Sequence, residues 1–211
     1  MSYWKIYKRH WSTATHNKEG YISPMHLVGG EESSNALYQH KAYLDQGLLP
    51  HNTFLDIGCG CLRGGYLTHL YLDDNHFYGL DISKDLLDSA RERAKKPIHL
   101  IQNENFNFKN YYPDLTFDYL GLWSVITHLE PEDTIDLIKN LSFVMHKDSI
   151  CIASIFISST EEIQGSIDKK LYPVSYLNKI LNRYGFNKLE ILDDPKKTES
   201  QTTIKLTKIK A

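Results

Sequence analysis

The sequence predicts one α/β domain with a mostly parallel β-sheet and helices on both faces, and three observations predict it. A short apolar run, residues 53–57, breaks into a glycine-rich turn and then passes into a helical pattern. A second apolar run ends in Asp81, which lies 21 residues after Gly60. Two further strand-like runs, residues 186–192 and 202–209, close the sequence. Strands that alternate with helical segments are typical of parallel α/β sheets.

Length and composition agree with this class. The sequence has 211 residues, of which 41% are hydrophobic and 24% charged, enough for one α/β domain with its own core. The formal net charge of −2 gives no general attraction to nucleic acid or to an anionic membrane, so a small-molecule substrate is favoured. The oligomeric state does not follow from these values.

Localisation and metal binding are predicted from what the sequence lacks. No apolar run approaches the roughly 20 residues of a membrane span, and residues 1–5 lack the apolar region of a signal peptide, so we expect a cytoplasmic protein. The three cysteines form neither an even disulfide set nor a four-ligand cluster, and the histidines show no zinc-type spacing. No metal site is predicted.

Residues 1–30 are rich in aromatic side chains and histidine and show no sustained period. They predict an arm that folds over the cofactor cleft as a lid, with His26 as a weak candidate for substrate contact; the alternative is that the arm only covers an edge of the core. The domain proper is predicted to span 31–211. Its first helix covers residues 31–47, with Leu37, His40 and Leu44 at helical spacing, and ends at Gly47.

The glycine-rich turn indicates a nucleotide-like cofactor. A strand, a glycine loop and a helix point backbone N–H groups into the crevice at the end of a sheet. A dinucleotide fingerprint needs its third glycine where this chain has Arg63. Asp56 would repel a pyrophosphate but would suit a cationic ammonium group. An NAD-dependent oxidoreductase is therefore the weaker interpretation.

The string Asp-Ile-Gly-Cys-Gly-Cys-Leu-Arg-Gly-Gly, residues 56–65, resembles motif I of the class I S-adenosylmethionine-dependent methyltransferases, in a bacterial small-molecule branch. The resemblance implies a Rossmann-like class I methyltransferase fold with a seven-stranded, mostly parallel sheet and a reversed last strand. It also implies S-adenosyl-L-methionine as cofactor and S-adenosyl-L-homocysteine as product. The cofactor contacts that it implies in this stretch are Asp56, Gly58, Cys59, Gly60 and Arg63.

The next two strands carry the predicted contacts to the nucleoside. Asp81 ends the strand within residues 75–83, where its carboxylate can accept both hydroxyls of a ribose, and Ile82 lies beside it. A role for Asp81 as a helix cap is the alternative, but Ser83 suits that role for the helix that follows. After the third strand, residues 98–101, the resemblance makes Glu104 the candidate adenine contact, with Asn103 beside it. A plain surface turn is the alternative.

Residues 107–113 predict a loop in which Tyr111 is a weak candidate for substrate contact. The fourth strand, residues 117–123, runs into Ser-Val-Ile-Thr-His-Leu, which is similar to the loop after strand four in the same methyltransferase branch. The resemblance places this loop between donor and acceptor. Trp123 is then a cofactor contact, Thr127 a weak substrate contact, and His128 the candidate base. The alternative is that His128 only bonds to backbone.

The rest of the sequence completes the predicted sheet. Pro131 suits the first position of a helix, and residues 149–157 form an apolar run typical of a strand buried on both faces. Residues 158–173 predict a polar insertion, and a helix over 174–184 ends at Gly185. The final strands, 186–192 and 202–209, resemble the reversed hairpin that closes the methyltransferase sheet.

Together these features predict an S-adenosylmethionine-dependent methyltransferase. The acceptor is expected to be a hydroxyl, and less readily an amine, of a small metabolite such as a sugar or a sugar nucleotide. A methyltransferase of RNA or protein is one alternative, although a pI near 6.5 offers no general electropositive surface. A catalytically silent binding subunit is another, against which the set Asp56, Gly58, Gly60 and Asp81 argues.

Overall fold

A computed structural model describes residues 32–166, 169–192 and 201–210, with side chains from residue 35 onward. The predicted arm 1–30, with His26, lies outside the described residues. The described residues form two compact units, one ending at Glu104 and the other beginning at Asn105.

The first unit is a three-stranded parallel sheet with its helices. In chain order its elements are α1 (Glu32–Asp45), β1 (Phe54–Ile57), α2 (Tyr66–Tyr71), β2 (Phe77–Asp81), α3 (Lys84–Arg93) and β3 (His99–Gln102). The strand order in the sheet is β3-β2-β1, with Asp56 of β1 in register with Gly79 of β2, and Asp81 of β2 in register with Gln102 of β3. Because the strands are parallel, their carboxyl ends lie at one edge, where α/β folds bind ligands.

Buried aromatic rings fix this sheet. Phe54 of β1 stacks on Phe77 of β2 with ring centroids 5.4 Å apart, and Tyr43 of α1 meets Phe54 edge to face at 4.7 Å. All three side chains are almost fully buried. Aromatic contacts of this size dominate the packing of a small core, so β1 and β2 are held rigidly beneath the loop that follows β1.

The second unit is built on β5, which pairs in parallel with β4 and antiparallel with β9. The pairing with β9 runs from Ile150 opposite Thr207 to Ile155 opposite Thr202, so the prediction of a reversed last strand is confirmed. Its elements are α4 (Phe108–Tyr111), β4 (Phe117–Leu122), a 3₁₀ turn (Ile126–His128), α5 (Pro131–Val144), β5 (Met145–Ile157), β6 (Gln164–Ser166), β7 (Lys169–Tyr172), α6 (Val174–Arg183), β8 (Glu190–Ile191) and β9 (Thr202–Thr207).

The structure corrects several predicted elements. The described residues contain nine strands rather than seven, because the polar insertion 158–173 contains the antiparallel hairpin β6–β7. The predicted loop 107–113 contains the short helix α4, and the strand over 186–192 shrinks to β8 with an isolated bridge between Phe186 and Lys208. Periodicity misses such elements because they are only two to four residues long.

Candidate functional site

The glycine loop, residues 58–65, folds back onto the end of β2. The N–H groups of Gly58 and Cys59 donate to the carbonyl of Leu80 at 2.7 and 3.0 Å. Gly58 and Gly60 have φ values of 76° and 54°, a backbone conformation that favours glycine. Leu62 also has a positive φ, 63°, and the helix that follows the glycine loop begins only at Tyr66. Gly58 is exposed, which leaves room for a ligand to approach the backbone.

Asp81 is the carboxylate around which the loop is ordered. Its Oδ2 accepts a hydrogen bond from the N–H of Gly60 at 2.9 Å, and its Oδ1 accepts one from the N–H of Ser83 at 2.9 Å. The N–H of Ile82 also bonds to this carboxylate, which has about four acceptor positions, so Asp81 can still accept a hydrogen bond from a hydroxyl group. Ser83 caps α3 by accepting from the N–H of Leu86 at 3.3 Å, as predicted.

Asp56 and Asp81 are two buried carboxyl groups on neighbouring strands. Burial first, and then the charge of Asp81, raise the pKa of Asp56 to about 7. Burial also raises the pKa of Asp81, although the hydrogen bonds from the N–H groups of Ser83, Gly60 and Ile82 lower it in part. Within the described residues no basic side chain contributes to either pKa. Burial thus disfavours the ionised form of both carboxyl groups in the free protein, and a cationic ligand bound beside them would favour that form.

The two glycines at the end of the loop have different neighbours. A Cβ on Gly65 would lie 2.6 Å from Oδ2 of Asp56 and 3.0 Å from the Phe77 ring. A Cβ on Gly64 would instead meet the side-chain amide of Gln39, which is the far end of a flexible side chain. The absence of a side chain at Gly65 therefore leaves the space in which the Asp56 carboxylate packs against the start of α2. Neither position has a role predicted from the sequence.

Gly79 is a second residue that sequence analysis missed. A Cβ at this position in β2 would lie 2.8 Å from Sγ of Cys59 and 2.6 Å from Leu100, so its absence lets the loop pack directly on the strand. A glycine inside a strand signals such a close approach, and this signal is visible in the sequence. Burial raises the pKa of the Cys59 thiol well above its usual range, which makes this cysteine a packing group rather than a nucleophile.

The two candidates for an adenine contact follow β3 and differ in burial. Asn103 is buried and its N–H donates to the carbonyl of Asp81 at 2.9 Å, whereas Glu104 is exposed. Nearby, Nε2 of Gln102 donates to the carbonyl of the buried Ile82 at 2.9 Å. Arg63, from the glycine loop, is half-buried, and burial lowers its pKa.

Apart from His26, the predicted catalytic and substrate residues lie in the second unit. His128 is half-buried in the 3₁₀ turn, and its N–H donates to the carbonyl of Val125 at 3.0 Å. Thr127 is fully buried and its hydroxyl donates to the carbonyl of Ser124 at 3.1 Å, an arrangement that suits a structural role. Trp123 is half-buried directly after β4, and Tyr111 is 41% exposed at the end of α4.

A polar cluster that sequence analysis missed lies at the carboxyl ends of β4 and β5. Ser124 has a φ of 57°, and its N–H donates to Oγ of Ser154 at 2.8 Å. Gln201, which precedes β9, accepts hydrogen bonds at Oε1 from the hydroxyls of Ser124 at 3.0 Å and Ser154 at 2.5 Å. Since β9 is antiparallel, its first residues reach the same edge as the last residues of β4 and β5.

Two kinds of feature are absent from the described ranges. No group of three or more histidine, cysteine, aspartate or glutamate side chains there could hold a metal ion. No helix in the same ranges has both the length and the apolar character needed to cross a bilayer.

Comparison with known proteins supports the predicted enzyme class. Residues 54–148 match the protein-family model described as a methyltransferase domain. This stretch contains the glycine loop, both buried carboxylates, β4 and His128. The match therefore supports the prediction of an S-adenosylmethionine-dependent methyltransferase.

Solved structures show the fold over the whole chain. The magnesium protoporphyrin IX methyltransferase of Synechocystis PCC 6803 with bound S-adenosylmethionine is 15% identical, with a TM-score of 0.67, over 99% of this chain and 98% of that one. The same enzyme with bound S-adenosylhomocysteine gives a TM-score of 0.63 at 14% identity, over 97% and 95% of the two chains. The predicted class I methyltransferase fold is confirmed, and the predicted cofactor agrees with these ligands.

Two further structures have the same fold and different names. A TehB-like S-adenosylmethionine-dependent methyltransferase from Corynebacterium glutamicum is 15% identical over 98% of both chains, with a TM-score of 0.62. The glycopeptide N-methyltransferase MtfA is 14% identical over 84% of this chain and 91% of its own, with a TM-score of 0.63. A porphyrin stands in the name of the Synechocystis enzyme and a glycopeptide in that of MtfA, so the shared fold does not indicate an acceptor for this chain.

Proposed function

We propose that the glycine loop and the carboxylates of Asp56 and Asp81 bind S-adenosylmethionine, and that the enzyme transfers its methyl group to a hydroxyl of a small metabolite. The observation that carries the proposal is the pair of buried carboxyl groups at the carboxyl edge of β1 and β2, without a basic partner among the described residues.

The charges of the donor fit this pair. S-adenosylmethionine carries an ammonium group and a sulfonium and has no phosphate, so it supplies the positive charge that the buried carboxyl groups lack. Asp81 keeps acceptor capacity for a ribose hydroxyl beyond its hydrogen bonds from the N–H groups of Gly60, Ser83 and Ile82. Asp56 faces the ammonium group, and the exposed Gly58 allows the donor to approach the loop. A dinucleotide would instead bring two phosphates to two carboxylates.

The adenine is assigned to the end of β3. Asn103 is the better contact, because its buried side chain is held in place by the bond from its own N–H to Asp81. Glu104, by contrast, is exposed. This assignment favours Asn103 over Glu104, whereas the sequence prediction favoured Glu104.

Methyl transfer is an in-line displacement at carbon. The acceptor oxygen forms a bond to the methyl carbon while the bond from that carbon to sulfur breaks, and the sulfonium becomes a neutral thioether. The hydroxyl proton passes to a base, for which we propose His128, since imidazole titrates near neutral pH and this residue follows β4. Loss of the sulfonium charge weakens the attraction to the carboxylates and favours product release.

The acceptor is proposed to be a hydroxyl-bearing metabolite such as a sugar or sugar nucleotide. The net charge of −2 supports a small molecule over a nucleic acid. A screen with S-adenosylmethionine and separate panels of sugars, sugar nucleotides, phenols and amines, read by formation of S-adenosylhomocysteine, tests this part. Turnover confined to amines would replace O-methylation by N-methylation.

Calorimetric titration with S-adenosylhomocysteine tests the donor site. We expect one-site binding by the wild type and at least tenfold weaker binding by Asp81→Asn, because the amide keeps the shape but accepts hydrogen bonds at only one atom. Asp88→Asn, the same change at an exposed carboxyl group, is the matched control and should bind as the wild type does. NADH should give no heat of binding. A wild type that does not bind S-adenosylhomocysteine would refute the proposal.

A further inference from the structure

The hairpin β6–β7 holds the segment that carries the candidate base. This segment, residues 126–130, consists of the 3₁₀ turn and the two residues that lead into α5, and is called the His128 segment below. Lys170 and Tyr172 of β7 are two residues apart, so their side chains leave the same face of the strand. Both contact the His128 segment.

Tyr172 makes the first contact. Its side chain is fully buried, and its hydroxyl donates to the carbonyl of Leu129 at 2.7 Å, directly after His128 in the chain. The hydroxyl also lies 2.9 Å from Oγ1 of Thr134, in the first turn of α5. Thr134 is fully buried, and its N–H donates to the carbonyl of Glu130 at 2.9 Å. One phenol thus ties the end of the 3₁₀ turn to the start of α5.

Lys170 makes the second contact. Its Nζ lies 3.0 Å from Oε2 of Glu130, and the two side chains are only 16% and 31% exposed. A partly shielded pair of this kind is screened less by solvent than a surface ion pair. The residue after Leu129 is therefore held by charge, while Leu129 itself is held by a hydrogen bond.

β7 is itself fixed to the central strand of its unit. It pairs in parallel with the end of β5, with Phe156 opposite Leu171 and Ile157 opposite Tyr172. The carbonyl of Tyr172 accepts a hydrogen bond from the N–H of Ser158 at 3.0 Å. The restraint on the His128 segment is therefore transmitted from the sheet and does not depend on an isolated loop.

We infer that β7 is the element that positions His128, with Tyr172 and Lys170 as its positioning residues. The inference rests on the proposed function, in which His128 takes the acceptor proton. Tyr172 holds the backbone on the carboxyl side of His128 through Leu129, and Lys170 holds the next residue. With both contacts in place the imidazole of His128 is presented in one orientation. General base catalysis requires this, because the base must lie within hydrogen-bond reach of the proton that it takes.

The test compares Tyr172→Phe with Tyr176→Phe. Tyr176 stacks on Tyr172 with ring centroids 5.8 Å apart. Within the described residues no hydrogen bond joins its hydroxyl to the His128 segment, so it is a matched control for loss of a phenol hydroxyl. In Tyr172→Phe we expect amide hydrogen exchange in the His128 segment to rise about five- to tenfold, from the loss of one buried hydrogen bond. The imidazole resonances of His128 in NMR should shift or broaden, while the affinity for S-adenosylhomocysteine stays within twofold of wild type.

Lys170 supplies a second, independent comparison. Lys170→Gln should move the same exchange rates and the same imidazole resonances in the same direction, and Lys170→Arg should restore them, since a guanidinium can still pair with Glu130. With an acceptor found by the screen, Tyr172→Phe should lower kcat about tenfold and leave the KM for the donor unchanged.

Wild-type exchange and wild-type His128 resonances in Tyr172→Phe would overturn the inference. A general loss of protection together with loss of S-adenosylhomocysteine binding would also overturn it, because it would make Tyr172 a residue of global stability. Failure of the proposed function is distinguishable from both, since it shows in the wild type as absence of S-adenosylhomocysteine binding.

Discussion

Asp56→Asn is expected to stabilise the free protein and to weaken its binding of the donor. The pKa of Asp56 is raised from 3.8 to about 7 by burial and by Asp81. A carboxyl group whose pKa is raised in this way stabilises the folded state fully below pH 3.8, and this stabilisation is lost as the pH rises through 7. At 1.36 kcal/mol for each pKa unit, ionisation of Asp56 costs the folded state up to about 4 kcal/mol at pH 8.

The amide removes this cost but must itself be buried. An unsatisfied buried amide costs about 1–3 kcal/mol, so we expect a net gain of about 1–3 kcal/mol at pH 8.5. For a chain of this size that gain raises Tm by about 2–12 °C. At pH 5 the wild-type carboxyl group is protonated, and the gain should vanish or change sign.

The assay is urea and thermal unfolding of wild type, Asp56→Asn and the exposed control Asp88→Asn, at half-unit steps from pH 5 to 8.5 without ligand. Calorimetry with S-adenosylmethionine at the same pH values completes it: wild-type affinity should rise between pH 6 and 8 with release of protons, and Asp56→Asn should bind at least tenfold more weakly. A difference in unfolding free energy between wild type and Asp56→Asn that does not change with pH would refute the reasoning.

Two further predictions concern the loop and the base. Gly65→Ala should weaken binding of S-adenosylhomocysteine at least tenfold, because the new methyl group displaces the Asp56 carboxylate. Gly64→Ala is the control and should bind within about threefold of wild type, because its neighbour is the flexible amide of Gln39. Equal affinities of the two variants in calorimetry would show that the close packing at Gly65 is unimportant. His128→Ala should lower kcat on a hydroxyl acceptor about 100-fold and leave donor affinity intact, with His146→Ala as the control; full turnover would remove His128 from the mechanism.

The sequence predicted the carboxyl edge of the first unit because its signals there are local. The glycines at 58 and 60 mark turns, Asp81 ends an apolar run, and Ser83 is a standard cap, so each role follows from a few adjacent residues. Gly65 and Gly79 were missed because their reason is tertiary: each makes space for a side chain from another element, Asp56 and Cys59 respectively.

The buried face of a helix depends on tertiary packing, which periodicity does not show. The helical spacing of Leu37, His40 and Leu44 predicted α1 correctly, yet Leu37 and Leu44 are 60% and 40% exposed, and the buried residues of this helix include Ala36 and Tyr43. A period identifies a helix but not the face that its neighbours cover. In the same way the polar composition of 158–173 concealed β7, whose pairing depends on the distant end of β5.

The reversed pairing of β9 has a consequence for biosynthesis. The edge of β5 from Ile150 to Ile155 pairs with residues 202–207, about 50 positions further along the chain. During translation this apolar edge has no partner until those residues have left the ribosome, and an open strand edge of this kind readily pairs with other chains. Translation that stops before residue 207 would therefore release chains that aggregate, and the last strand acts as the step that makes the nascent protein soluble.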